Sequence, residues 1–290
     1  MDTQNKITID HRENDEYLEL LRTDKIPLGL GLGINLDNHL RFKKSSFNIC
    51  LGHANVGKTY WILWYLLAHS VNNNLKHLIY SAENSVNGLK RNLIELYMDE
   101  KVNKMSVEQL EMGKSFIEAH FDFIDSRRPH TIVDFMKEVQ GLGRYDTLMI
   151  DPHNSFIKPR GVNAHEYDYE TASKLRYFAK QTGTAIWLCV HAATEALRKV
   201  NRSGEYEGLP QRPNMSDAEG GGKWSNRADD FIVAHRFTSH PTDWMYTQIH
   251  VMKVKETETG GSPTFHEQPV LFRMDYGTRF TCGGINALKQ

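Results

Sequence analysis

Apolar positions along the chain fall into two alternating patterns. Short apolar runs at Ser46–Leu51, His77–Ser81, Asp146–Asp151 and Ala185–His191 have the length of buried strands. Between them lie longer stretches with helical spacing: Tyr60 to His69, Val86 to Met98, Ser106 to Phe121, Thr131 to Leu142 and Ala172 to Gln181. The first of these is apolar almost all round, which predicts a covered helix, and the third opens on Ser106-Val-Glu-Gln109, close to a capping box. Phe121–Asp125 reads as a further strand. Strands alternating with helices predict an α/β fold with a mostly parallel central sheet flanked by helices on both faces.

The last third changes character. Glu195 to Trp224 is long, basic and rich in Gly, Pro, Asn and Ser, the composition of a functional loop. Asp230–His235, Thr247–Val254 and Pro269–Arg273 then read as strands joined by short turns, predicting an antiparallel C-terminal extension of the sheet. Near the front, Asn14 to Arg22 places Tyr17, Leu18 and Leu21 on one helical face. So short an amphipathic helix must pack on its own domain or on a neighbouring subunit. No linker, repeat or low-complexity tract divides the chain, so the expected organisation is an arm of residues 1–28 followed by one domain over 29–290.

Composition narrows the function classes. A chain of 290 residues buries a large core, and a formal net charge of −1 leaves polyanion binding to a local basic surface. No apolar run is long enough to span a bilayer and the first residues lack a signal-peptide core, so the reading is cytoplasmic, with no membrane partner. Cys50, Cys189 and Cys282 are odd in number, far apart and in strand contexts, as expected of core thiols in a reducing compartment. The fourteen histidines show no H-E-x-x-H spacing and there is no C-x-x-C, which argues against a metal held by protein ligands alone.

The chemistry is concentrated in Gly52-His53-Ala54-Asn55-Val56-Gly57-Lys58-Thr59, which fits G-x-x-x-x-G-K-[ST] between a predicted strand and a predicted helix. Gly52 and Gly57 let the backbone curl so that successive N–H groups point inward, and the helix beginning beyond them turns its positive end to the same anion. Lys58 is positioned for the β- and γ-phosphates of a nucleotide and the Thr59 hydroxyl for Mg²⁺; Tyr60 follows in the same helix. In open α/β sheets ligands bind beyond the carboxyl ends of strands. Glu83 ends the second strand, where a carboxylate can hold and deprotonate a water aimed at a γ-phosphate. Asp151 ends an apolar run, the pattern of an acid that holds Mg²⁺ beside the Thr hydroxyl. His191 ends the next strand, where an imidazole can donate to the γ-phosphate and report its loss.

These residues carry a resemblance. Gly52 to Thr59, Glu83, Ile150-Asp151-Pro152-His153-Asn154, Val190-His191 and the run from Asp217 through Gly220-Gly221-Gly222-Lys223-Trp224 to Asp229 look like the helicase domain of Twinkle-type and phage primase-helicases, grouped with DnaB among the RecA-like ring ATPases. The resemblance spans about residues 29 to 273. It implies a RecA-like P-loop fold, ATP and Mg²⁺ as cofactors, a homo-oligomeric ring that is usually hexameric, and 5′-to-3′ unwinding on single-stranded DNA. It implies Glu83 as catalytic glutamate, Asp151 as the metal-positioning acid and His191 as the γ-phosphate sensor. The family's usual K-x-R, whose arginine reaches a neighbour's ATP, is here Lys253 and Lys255, closer to the K-x-K of RecA recombinases; Arg236 is a second candidate for that reach. DNA contacts are implied in the loops after Asp151 and His191, with Lys158, Arg160, Arg198, Lys199, Arg202 and Arg212, and with Gly220 and Lys223 beyond.

Relatives carry a primase-type or helical domain before the motor. Here about thirty residues precede it, so the expectation is a motor without a primase, or a piece cut from a longer chain, with a separate primase or polymerase as partner. The expected setting is a bacterial or phage-infected cell rather than an organelle matrix. Two other readings stay open at this stage: a recombinase-like filament on single strands, and an ATPase that regulates or loads a partner without translocating.

Overall fold

The computed structural model describes residues 11–289, so the first ten residues of the expected arm lie outside the described ones. In chain order its main elements are α1 (His11–Arg22), β1 (Phe47–Gly52), α2 (Lys58–Asn73), β2 (His77–Ser81), α3 (Val86–Met98), α4 (Val107–His120), β3 (Phe121–Phe123), α5 (Ile132–Gly141), β4 (Thr147–Asp151), α6 (Ala164–Thr182), β5 (Ala185–His191), α7 (Lys223–Arg227), β6 (Asp230–His235), β7 (Tyr246–Val254), α8 (Thr257–Gly260), β8 (Val270–Asp275) and β9 (Arg279–Cys282). The strands form a nine-stranded sheet in the order β3-β2-β4-β5-β1-β6-β7-β8-β9. Pairings from β3 to β6 are parallel, and those from β6 to β9 are antiparallel. The expected mostly parallel sheet with an antiparallel C-terminal extension is therefore the observed one.

Apolar layers cover both faces. On one, α2, α3 and α4 bury Trp61, Trp64, Tyr65, Leu89, Leu93 and Ile117 against Trp187, Ile249 and Phe272. Helix α2 is enclosed from Lys58 to Ser70 apart from Thr59 and Tyr60, a pattern its all-round apolar sequence anticipates. Its Trp61 ring stacks on Tyr65 at 5.5 Å and meets Phe272 edge-on at 5.7 Å, which pins the helix across the sheet. On the other face, α5, α6 and α7 bury Phe135, Leu175 and Trp224 against Leu148, Ile186 and Phe231. The three cysteines are free and buried.

Several elements differ from expectation. Helix α6 starts at Ala164, well before the apolar stretch that announces it; in its early turns Asp168 and Thr171 are buried although polar, so no apolar period marks them. The segment from Glu195 to Trp224 is built rather than irregular. It holds a 3₁₀ turn at Thr194–Arg198, bridges pairing Val200 with Pro210 and Asn201 with Glu207, a second 3₁₀ turn at Met215–Asp217, and the start of α7. Strand β9 is additional to the expected set, its four residues being too few to show a period. Helix α1 leaves Tyr17, Leu18 and Leu21 exposed, and the Tyr17 hydroxyl donates to Glu258 Oε1 at 2.7 Å. Among the described residues no helix is long and apolar enough to cross a membrane.

Buried imidazoles make the fold sensitive to acid. Burial pulls His69, His153 and His250 down to about 3 and His235 to about 4. Their folded values lie below the ordinary one, so the stability they hold is complete above pH 6.5 and is lost as pH falls towards the folded values, because unfolding then takes up protons. Each is expected to cost up to about 2 kcal/mol by pH 5. Urea titrations at pH 7.5 and pH 5.0 check this; equal midpoints would show that these rings are accessible to protons in the folded chain.

Candidate active site at the phosphate loop

Strand β1 is buried along its whole length between β5 and β6, and register sets Gly52 beside His191. Gly52 has no room for a side chain: a Cβ there would lie 2.5 Å from the Ala234 carbonyl oxygen of β6. Beyond it, Asn55 and Gly57 take positive φ (62° and 88°), which curls the loop, and Gly57 hands over to α2. Val56 is buried and anchors the loop, Ala54 and Asn55 form its tip, and Lys58 sits inside it. The Lys58 ammonium donates to the carbonyls of Gly52 at 3.0 Å and His53 at 2.8 Å. Both acceptors are neutral, so an anionic phosphate oxygen in the loop would be the stronger partner.

Thr59, in the first turn of α2, donates its hydroxyl to Asp151 Oδ2 at 2.7 Å. Ser81 Oγ and Asn84 Nδ2 approach the same oxygen at 3.5 and 3.4 Å. Asp151 Oδ1 is buried without a hydrogen-bond partner, next to the Cys189 thiol. A hydroxyl oxygen and a carboxylate with a spare buried oxygen suit Mg²⁺, a hard cation that prefers such ligands. Glu83 and His191, from the ends of β2 and β5, meet directly: His191 Nε2 lies 2.9 Å from Glu83 Oε1, and since a carboxylate only accepts, the imidazole donates. The Glu83 carboxylate remains half exposed.

An open cavity of about 1000 Å³ adjoins the loop at Gly57, bounded by Tyr60, Arg91, Arg236, Trp244 and Tyr276. Tyr60 is held there by its hydroxyl, which donates to the Gly277 carbonyl at 2.9 Å. Arg236 stands beside its own chain's phosphate loop, with a guanidinium nitrogen 4.0 Å from where a Cβ on Gly57 would be, its Nε donating to the Trp244 carbonyl and its guanidinium 5.6 Å from the Trp244 ring centre. Trp244 and Tyr276 have no signature in the sequence, since isolated aromatics in turns are ordinary. Only their exposure, 48% and 87%, singles them out.

The two lysines of β7 are engaged within the chain. Lys253 donates to the Ser225 and Ala228 carbonyls, both at 2.7 Å, closing the C-terminal end of α7, and burial lowers its pKa. Lys255 is about half exposed, 3.5 Å from Asp229 Oδ1. The basic residues beyond β4 and β5 divide in the same way. Lys223 is buried, 3.4 Å from Asp168 Oδ2, and Lys158 approaches the other oxygen of that carboxylate at 4.0 Å. Gly220 takes a φ of 89°, and a Cβ on it would meet Asp168 at 2.7 Å, so it serves close packing. Lys199 pairs with Asp217 at 2.6 Å, whereas Arg160, Arg198 and Arg202 are exposed.

The loops after β4 and β5 are wired to the site. His53 is buried and its Nε2 lies 3.1 Å from the Gln211 carbonyl, which ties the phosphate loop to the excursion carrying Arg198 and Arg202. The His191 carbonyl accepts from Glu219 N at 2.8 Å, and Asn154 Nδ2 reaches Glu219 Oε2 at 3.4 Å.

Two solved structures share this fold. One solved structure, an ATPase domain, superposes with a TM-score of 0.76 at 14% identity, over 95% of this chain and 99% of that one. A DnaB-like replicative helicase, described with its interactions with primase, gives 0.74 at 14% identity over 95% of this chain and 67% of that one. In sequence, the chain is 27% identical over 270 residues to a chloroplastic/mitochondrial Twinkle homologue of Arabidopsis thaliana, covering 86% of this chain. The chain spans 36% of that relative's length. No family model matches the sequence.

The His53 link is open to direct test. Replacing His53 with Ala is expected to raise amide hydrogen exchange across residues 199–211 by about tenfold or more, the loss of one net hydrogen bond from a surface segment, with His53→Asn restoring part of the protection. Unchanged exchange in both variants would mean that the excursion is held by its own bridges alone.

Proposed function

We propose that this chain, which shares the fold of DnaB-like replicative-helicase ATPase domains, is the ATP-hydrolysing motor of a DNA helicase moving on single-stranded DNA as a ring of like subunits, hexameric as the resemblance implies. The observation that carries this reading is the convergence of Lys58, Thr59, Asp151, Glu83 and His191 on one loop at the carboxyl ends of adjacent parallel strands.

Lys58 gives up its two carbonyl partners for phosphate oxygens, and the curled amides of residues 53–57 supply further donors to the same anion. Mg²⁺ arriving with ATP supplies charge neutralisation on the phosphates, and Thr59 and Asp151 are the residues that hold it. Glu83 is the base: its half-exposed carboxylate takes the proton of a water aimed along the β2 end of the site. His191 orients that carboxylate through its Nε2–H, and the same donor is available to a terminal phosphate. Arg236, Trp244 and Tyr276 wall the cavity where the nucleoside extends from the phosphate loop.

The state of His191 reaches the DNA-facing loops through the Glu219 contact to its carbonyl and through Asn154. Arg160, Arg198 and Arg202 are the first contacts to the DNA backbone in this reading, with Lys158 and Lys199 adding charge if they leave their carboxylates. The exposed face of α1 docks on an adjacent copy, with residues 1–28 acting as the arm of a domain over 29–290. Lys255, half exposed beyond β7, completes the neighbouring site. A separate primase is the partner class that follows from this reading.

Steady-state ATP hydrolysis with and without single-stranded DNA tests the proposal. Hydrolysis is expected to rise strongly with the DNA and to be abolished in Lys58→Ala. Glu83→Gln is expected to bind ATP with near-normal affinity while kcat falls by about 10²-fold or more. Hydrolysis indifferent to DNA would replace the motor with a regulatory ATPase, and near-normal kcat in Glu83→Gln would remove Glu83 from the base role.

A further inference from the structure

Beneath the excursion of residues 199–214 lies a second cavity, of about 450 Å³, which no phosphate-loop residue lines, although His53 of that loop touches its wall at Gln211 and His235. Its floor is the face of β6 and β7 that the helices leave uncovered. Register pairs His235 with Gln248 and Val233 with His250, which brings both imidazoles to this face. His235 is only 2% exposed, and neither of its ring nitrogens has a hydrogen-bond partner. One of those nitrogens always carries a hydrogen, so the cavity wall holds a buried donor with no acceptor. His250, 4% exposed, lies with Nε2 3.2 Å from Gln248 Oε1.

Arg212 enters from the roof. The acceptor its guanidinium finds is the Met252 sulfur at 3.5 Å, a weak one that leaves the charge uncompensated. Among the described lining residues the acid is Glu267, exposed at the rim and 3.7 Å from His266 Nδ1. Burial, with the neighbouring Arg212 charge adding to it, keeps His235 and His250 neutral, as hydrogen-bond donors rather than cations. The remaining wall is the Tyr206 ring stacked on Phe237 at 4.0 Å.

We propose that this cavity binds a phosphate group, with Arg212 as its charge partner and His235 as its buried donor. A guanidinium without a carboxylate and an imidazole N–H without an acceptor lack the same thing, an anionic oxygen. The Tyr206–Phe237 wall suits the sugar or base attached to such a phosphate. The phosphate comes either from a free ion or nucleotide or from the backbone of a bound strand. In the second case the inference deepens the motor reading; in the first it stands without it.

Calorimetric titration of the full chain with inorganic phosphate tests this, in Lys58→Ala and, as a second form, in the wild type saturated with ADP, so that the phosphate loop does not report. Saturable binding is expected, weakened at least about tenfold by Arg212→Gln, the weight of one charge-assisted hydrogen bond, and weakened also by His235→Phe. A labelled oligothymidylate then separates the sources. Competition between it and phosphate assigns the cavity to a strand phosphate, and independent binding assigns it to a free one. Absence of saturable phosphate binding, or binding unmoved by Arg212→Gln, overturns the proposal. Loss of DNA-stimulated hydrolysis with phosphate binding intact counts against the motor and not against the cavity.

Discussion

The hydrogen bond from Thr59 to Asp151 joins the first turn of α2 to the end of β4 across the intervening β5. With β5 inserted between β1 and β4, all three parallel, the phosphate loop, His191 and Asp151 follow the carboxyl ends of neighbouring strands. Gly52 fits closely on the other side, since the Ala234 carbonyl of β6 passes where its side chain would be. A strand order that carried β4 away from β1 would separate the hydroxyl from the carboxylate, whatever the local loop conformation.

The two faces of that sheet are covered by different means, and the difference sets where chemistry can occur. On the α2 face, aromatic packing from Trp61 and Trp64 continues out to β8 and β9, so that side is filled by rings. On the opposite face the helices stop at α7, and β6 and β7 are roofed instead by the excursion of residues 199–214. The layer beneath that excursion is nevertheless polar: His53, His235 and His250 are buried there beside Gln248 and Arg212. The same polar layer links the phosphate loop to the excursion through His53.

Charge is likewise divided by burial rather than by sequence position. Lys223, Lys253 and Lys58 are all lysines within motifs, yet each faces different acceptors: a carboxylate, helix-end carbonyls, and loop carbonyls that an anion can displace. Arg236 sits beside its own phosphate loop, although its place at the end of β6 suggests a reach towards a neighbour. Basic residues in the post-β5 segment are alike in the sequence, and the structure separates paired Lys199 from exposed Arg198 and Arg202.

By itself the sequence determined the alternation of strands and helices, the phosphate loop between β1 and α2, and the acids and imidazole at strand ends. These are local properties: periodicity, glycine at tight turns, and a charged residue closing an apolar run each act within a few positions. The early start of α6 and the whole of β9 escape such a reading because turns that bury polar side chains and a four-residue strand carry too little apolar signal. Only the tertiary structure decided that Glu83 meets His191 from 108 positions away, that Lys253 turns inward to α7, and that Trp244 and Tyr276 flank the cavity beside the phosphate loop. Those contacts depend on strand order and on which side chains burial leaves without partners, and neither is written in any local stretch of the chain.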